Sequence, residues 1–164
     1  MIASPAARWL GVETDRFGRV KVDPDLSIQG HPNIFGIGDT ALVVAYSRNL
    51  FGMRTRTLGT LPGVAQPAIQ EGRYVADLIY DRVVGSPPPG PFVYWDKGDL
   101  AIVGRSFAVA DLRFLRFAGL PAWLVWAGVH IYSLIGFANR LFVMLQWAMS
   151  FWTKRRQVRI FPTR

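Results

Sequence analysis

The sequence predicts an α/β fold that passes into amphipathic, membrane-anchoring helices, and three observations carry that expectation. The first is a run of short β-type segments punctuated by Gly and Pro between Phe17 and Asp39. The second is a helical period from about Gln66 or Pro67 to Val84, closed by Gly85 and Pro87-Pro88-Pro89. The third is a shift in composition: residues 1–116 hold most of the charge, Gly and Pro, whereas residues 117–139 contain no Asp, Glu, Lys or Arg. Residues 1–111 and 112–164 are accordingly expected to form a ligand-binding α/β part and a helical membrane-anchoring tail.

Residues 17–23 alternate apolar and polar side chains and predict a short strand or hairpin arm. Asp23-Pro24 and Gly30-His31-Pro32 are turn signals flanking a connecting loop. Asn33-Ile34-Phe35-Gly36-Ile37-Gly38-Asp39 reads as a short buried strand ending in a Gly-Asp corner, of the continuous apolar kind found in parallel sheets. Residues 42–60, rich in Arg, carry no clear period. Ile69, Val75, Ala76, Leu78, Ile79 and Val83 recur at roughly helical spacing in the helix that follows. Phe92 to Val109 predicts two strands with Asp96-Lys97-Gly98-Asp99 as the turn between them, and Leu112 to Trp152 predicts apolar helix.

A net charge of +8 with 13% aromatic residues suits nucleic acid or an anionic membrane surface. The densest basic cluster, Lys154, Arg155, Arg156 and Arg159, directly follows the most apolar segment, which favours the membrane over nucleic acid. The run 117–139 would measure about 35 Å as one helix, long enough to span a bilayer. Gly119, Pro121, Gly128 and Gly136 interrupt it, His130 and Asn139 sit inside it, and residues 141–153 are too short to cross. Trp123, Trp126, Tyr132, Trp147 and Trp152 are spread along both runs, as suits an interface. Two helices lying on the membrane, joined near Ala138-Asn139-Arg140, are expected, with anionic lipids as partners. Cysteine is absent, so thiol redox chemistry and thiolate metal sites are excluded. His130 has no second His or carboxylate at ligand spacing, so no metal site is expected.

Asp39 follows two glycines at a strand end, where backbone can approach a ligand and a carboxylate can accept hydrogen bonds from a sugar-like hydroxyl. By itself the Gly38-Asp39 pair reads first as a turn or helix cap. Leu61-Pro62-Gly63-Val64-Ala65-Gln66-Pro67-Ala68-Ile69-Gln70 places Pro67 near a helix start. The amides of Ala68, Ile69 and Gln70 would then point from a positive dipole end, able to stabilise an anion or a reduced, negatively charged ring. Gln66 and Gln70 share one face; each alone would be an ordinary surface glutamine.

Together these motifs resemble the end of the flavin domain in type II NADH:quinone oxidoreductases, which are two-dinucleotide-binding-domain flavoproteins. The Asn33–Asp39 segment is common to many such flavoproteins; Ala65-Gln66-Pro67-Ala68-Ile69-Gln70 is more specific to the quinone-reducing branch. A third likeness is Tyr94-Trp95-Asp96-Lys97-Gly98-Asp99-Leu100-Ala101-Ile102-Val103-Gly104, resembling the family's β-hairpin, whose Lys approaches the flavin. The resemblance implies FAD as cofactor, NADH as substrate, membrane quinone as electron acceptor, and monotopic attachment at the cytoplasmic face of the inner (plasma) membrane; it leaves homodimerisation open. It implies cofactor binding by Gly38, Asp39, Ala65, Gln66 and Lys97, and catalytic roles for Gln66, Gln70 and Lys97. Without the resemblance, Lys97 reads as a charged turn residue.

No Gly-x-Gly-x-x-Gly opens a βαβ unit in these residues. The adenylate and nicotinamide sites are therefore expected upstream, and the chain alone is expected to be inactive. Sulfide:quinone oxidoreductases share the architecture but rely on redox cysteines. A non-catalytic membrane-bound module is the rival from another class.

Overall fold

The computed structural model describes residues 3, 5–48, 54–104, 106–134 and 136–153. They form two compact units, Met1–Lys97 and Gly98–Arg164. The basic cluster Lys154, Arg155, Arg156 and Arg159 lies outside the described residues, as does Gly52.

The first unit opens with α1 (Ala6–Leu10), β1 (Val20–Lys21), β2 (Ser27–Ile28) and β3 (His31–Phe35). A 3-10 turn (Gly38–Thr40) leads to β4 (Ala41–Leu42), β5 (Val44–Arg48) and β6 (Arg54–Thr60), then α2 (Ala65–Val84) and β7 (Val93–Trp95). β1 runs parallel to β4, pairing Val20 with Ala41. β3 is not the buried parallel strand its apolar residues suggest. It pairs antiparallel with β2 and carries Ile34 exposed. Only Gln29 and Gly30 separate the two strands, too short a link for a parallel crossover, and Gly30 takes the turn at φ 80°.

Within 42–60, the described residues Val44–Arg48 and Arg54–Thr60 are strand. β5 is central, antiparallel to β6 and parallel to β7, with Tyr46 opposite both Leu58 and Val93. The principal core of the unit gathers Leu26, Ala41, Val43, Ala45, Leu61, Val75, Phe92 and Tyr94. Tyr74 meets Phe92 edge-on and donates its hydroxyl to the Gly90 carbonyl at 2.9 Å.

The helix α2 begins after extended Val64 and ends where Gly85 adopts a left-handed conformation (φ 74°), its amide bonding the Asp81 carbonyl. Its buried stripe is Pro67, Glu71, Val75 and Leu78, spaced 4, 4 and 3 residues apart. Ile69, Ile79 and Val83, apolar positions that recur at helical spacing, are exposed in this unit.

The second unit is an antiparallel meander of β8 (Asp99–Ile102), β9 (Ala108–Asp111) and β10 (Arg116–Gly119), followed by α3 (Leu120–Ser133) and α4 (Phe137–Thr153). This corrects two expectations. The hairpin is β8–β9, not a pair about Asp96-Lys97-Gly98-Asp99, because β7 takes β5 as its partner. Residues 116–119 are strand rather than helix: Phe117 pairs with Ala110, and Gly119 (φ 87°) followed by Pro121 starts α3 only afterwards. Ala108, Ala110 and Ala122 are the buried centre, small enough for α3 to lie close on the sheet. Trp126 stacks on Trp147 of α4 with ring centroids 5.5 Å apart and planes 4° from parallel.

α3 ends at Ser133 and α4 begins at Phe137, so the break in the apolar run comes slightly before the expected joint. Gly136 has φ 85°, and Arg140 donates from Nε to the Leu134 carbonyl at 2.7 Å. Among the described residues, no helix is long and apolar enough to cross a membrane.

Candidate functional site

The site grows out of one reversal of the chain. Ile37 is extended (φ −138°, ψ 160°), and Gly38 then turns left-handed at φ 68°. A side chain at position 38 would be strained there, so glycine is required. Asp39 follows at once and lines a cavity of about 320 Å³ together with Gly38, Leu61, Pro62, Gly63, Val64, Pro67, Ala68 and Glu71. Arg19 and Phe17 complete another part of its lining. A Cβ at Gly63 would lie 3.1 Å from Asp39 Oδ1, so the carboxylate rests against bare backbone at the foot of α2. The corner expected from the sequence is thus present as a turn with an open carboxylate.

The helix presents two different faces. Val64, Pro67, Ala68 and Glu71 border the cavity, whereas Gln66 and Gln70 lie on an adjacent face and are not part of its lining. The start of α2 at Ala65 also shifts the expected amide donors. Pro67 is the third helical residue, so the outward first-turn N–H groups are those of Ala65 and Gln66. Ala68, Ile69 and Gln70 already reach back to carbonyls of the preceding turn.

Gln70 is committed to the next strand. Its Nε2 donates to the Trp95 carbonyl at 3.0 Å, and its Oε1 accepts from the Trp95 amide at 2.9 Å. A side-chain amide thereby imitates a strand neighbour and fixes the end of β7. Lys97 follows two residues later, its Nζ 4.9 Å from the centre of the Trp95 ring. The Gln66 amide oxygen is buried. Gly38 and Asp39 thus belong to the cavity, while Gln70 and Lys97 are tied together through Trp95.

Glu71 escaped the sequence reading. It is 2% exposed, and its Oε2 accepts a hydrogen bond from the Gly38 amide at 2.7 Å. Burial, and then the nearby Asp39 carboxylate, hold Glu71 above the usual carboxylate range, against the opposing pull of the Gly38 bond. The one available signal was its position: four residues after Pro67 and four before Val75, inside the buried stripe.

A stability consequence follows with a definite sign. The folded form of Glu71 holds its proton to a higher pH than the unfolded form, so its ionisation penalises folding as pH rises. The window opens at the ordinary value of 4.5 and extends upward through the raised one. Glu71→Gln should therefore gain stability relative to the parent between acid and neutral pH. Chemical denaturation at pH 4 and pH 7 checks this; a stability difference unchanged between the two pH values would refute it.

Residues 96–156 match the family described as the NDH2 C-terminal domain. The type II NADH:quinone oxidoreductase Ndh of Mycobacterium tuberculosis is 43% identical over 147 residues, covering 88% of this chain and 28% of that protein. NdhA of the same organism is 39% identical over 162 residues, covering 94% of this chain and 31% of that protein. Among solved structures, NDH2 from Plasmodium falciparum in complex with NADH has the same fold over 88% of this chain and 41% of its own, with a TM-score of 0.67 at 19% identity. The chain spans about three tenths of the length of these curated relatives.

Proposed function

We propose, from the premise that this chain belongs to the type II NADH:quinone oxidoreductase family and corresponds to its carboxy-terminal portion, that it supplies half of a flavin site, one wall of a quinone pocket and a membrane anchor. The complete polypeptide would be a non-proton-pumping respiratory enzyme passing electrons from NADH through FAD to membrane quinone. The observation that carries this reading is the double use of α2: one face borders the cavity with Asp39, and the adjacent face holds Gln66 and Gln70.

The residues fit a flavin. An open carboxylate beside glycine backbone suits the hydroxyls of a ribityl chain, and the 320 Å³ cavity gives such a chain room. Asp39 would accept hydrogen bonds from those hydroxyls. The bare backbone of Gly38 and Gly63 would permit close approach. The amides of Ala65 and Gln66 would face the ring at the positive end of α2, where negative charge is favoured. FAD, when bound, would carry two electrons between nicotinamide and quinone. Gln66 would orient the quinone with its side-chain amide. Gln70 would act by fixing Trp95, and so the segment that bears Lys97. Lys97 would offset negative charge on the reduced ring electrostatically.

The membrane assignment rests on the second unit. Leu124, Tyr132, Phe137, Phe142 and Met149 are exposed on two helices that, among the described residues, are not long and apolar enough to span, as suits monotopic attachment; the cytoplasmic face is proposed from the family resemblance alone. Anionic lipids would be drawn to the basic residues that follow α4 in sequence.

In the full-length protein, Gln66→Ala should slow flavin reoxidation by quinone by about tenfold or more, the loss of one good polar contact. Flavin reduction by NADH should stay within about twofold. Stopped-flow measurement of the two half-reactions separates them, and equal loss in both would remove Gln66 from the quinone pocket.

A further inference from the structure

We infer that Glu71 is a positioning residue that locks the Gly38–Asp39 corner from behind, so that the Asp39 carboxylate is held ready for a ligand polyol. The inference rests on the flavin reading of the cavity and deepens it. It starts from an otherwise unexplained cost. A carboxylic acid sits 2% exposed in the buried stripe of α2, where an apolar side chain would serve the helix better. What it gains there is the hydrogen bond from Gly38 at 2.7 Å.

That bond acts at the reversal itself. The chain passes from extended Ile37 to left-handed Gly38, so the Gly38 amide turns toward α2. Left without an acceptor, this partly buried amide would favour a different conformation of the turn. Asp39 is the next residue, and the rotation of the Gly38 peptide sets the direction in which its side chain leaves the backbone. On the other side, Asp39 Oδ1 occupies the space that Gly63 leaves bare, where a Cβ would stand 3.1 Å from it. The carboxylate thus lies between the bare backbone at Gly63 and a corner fastened to α2, with its outer side open. The Thr40 hydroxyl, donating to the Ile37 carbonyl at 3.2 Å, closes the same turn locally.

The arrangement does not depend on the charge of Glu71. A protonated acid still offers a carbonyl oxygen to the Gly38 amide, and glutamine offers the same atom in the same place. The charged groups facing the cavity with Glu71 are Asp39 and Arg19, and Arg19 is already paired with Asp15 at 2.7 Å. The corner should therefore survive Glu71→Gln and fail with Glu71→Met, which keeps the length but accepts no strong hydrogen bond.

The test uses the full-length flavoprotein, stripped of flavin and titrated with FAD. Glu71→Met should weaken FAD binding by about tenfold, Glu71→Gln by no more than about threefold. Asp39→Ala should also weaken it, and Glu71→Met with Asp39→Ala together should be no weaker than Asp39→Ala alone, since Glu71 acts through Asp39. Losses that multiply in the double variant, or FAD binding by Glu71→Met equal to the parent, would overturn the inference alone. A parent protein that binds no FAD would overturn the functional reading and this inference with it. If Glu71→Met does not fold, hydrogen exchange at the Gly38 amide decides the matter. Slow exchange in the parent and in Glu71→Gln supports the lock, and fast exchange in the parent overturns it.

Discussion

Gly98→Ala should destabilise the second unit by about 3 kcal/mol or more, enough to unfold the meander in a marginally stable domain. Two penalties coincide at this residue. Its φ of 91° lies where L side chains are strained, and a Cβ there would stand 2.2 Å from the Asp111 carbonyl oxygen and 2.8 Å from the Leu112 Cα. Both opposing atoms are backbone, so no rotamer change can relieve the overlap. Asp99, the next residue, is the first of β8 and faces Asp111 across the ladder. Moving the backbone to admit a methyl group would therefore break the register at the sheet's first pair, and the buried alanines Ala108 and Ala110 lie farther along the same strand. Gly104→Ala is the internal control, since nothing lies within 4 Å of a Cβ there and its φ is ordinary. That change should stay within about 1 kcal/mol. Urea unfolding followed by circular dichroism reads both, and equal midpoints for the two variants would show that the close approach at Gly98 is not sustained in solution.

The same residue shows why the sequence was legible in some places and misleading in others. Asp96-Lys97-Gly98-Asp99 has the composition of a hairpin turn, and Gly98 does take a positive φ. The glycine serves a close backbone crossing at the entrance of β8 rather than a turn joining β7 to β8. Composition reports the need for positive φ but not the partner that creates the need. The helix α2 was legible almost to the residue, because its period and its Gly85 stop are local signals. β5 was not, because its partners are β6 and β7, and the pairing of Tyr46 with Val93 has no local trace. Residues 116–119 were lost for a third reason. A stretch apolar on every side has no period to separate strand from helix, and only the pairing of Phe117 with Ala110 decides it.

At the candidate site, Gly38 and Asp39 could be read because a reversal after an extended segment demands glycine. Glu71 could not, because its role depends on an amide 33 positions away in the chain. The exposed Ile69, Ile79 and Val83 of α2 are the converse case. Their helical spacing is genuine, yet periodicity marks an apolar face without naming what packs on it. For Gln66, Gln70 and Lys97 the family resemblance suggested one pocket. The geometry distinguishes a Gln70–Trp95–Lys97 assembly from the Asp39 cavity on the neighbouring face of α2.

Replacing Phe142, Leu145 and Met149 together by glutamate should lower partition onto lipid vesicles by about 100-fold or more. These residues follow one another at intervals of 3 and 4 along α4 and so share one stripe, and they are 66%, 54% and 65% exposed. The other side of the helix is engaged: Trp147 stacks on Trp126 of α3, which leaves the Phe142 stripe facing outward. The 17 described residues of α4 measure roughly 25 Å, against the ~30 Å hydrocarbon layer, and a stripe confined to one side is expected to enter a bilayer with the helix lying flat. Immersing one large side chain to about half its depth contributes about 1 kcal/mol, and three such contributions give the two orders of magnitude expected. Salt separates this from attraction by the basic residues beyond Thr153. Binding through lysines and arginines weakens steeply as ionic strength rises, whereas binding through the apolar stripe persists. Cosedimentation with phosphatidylcholine vesicles, with and without phosphatidylglycerol, at low and high salt provides the measurement. The parent should retain binding at high salt and the triple variant should not. If the triple variant sediments like the parent at high salt, the stripe does not enter the bilayer and the anchor must be sought in other residues.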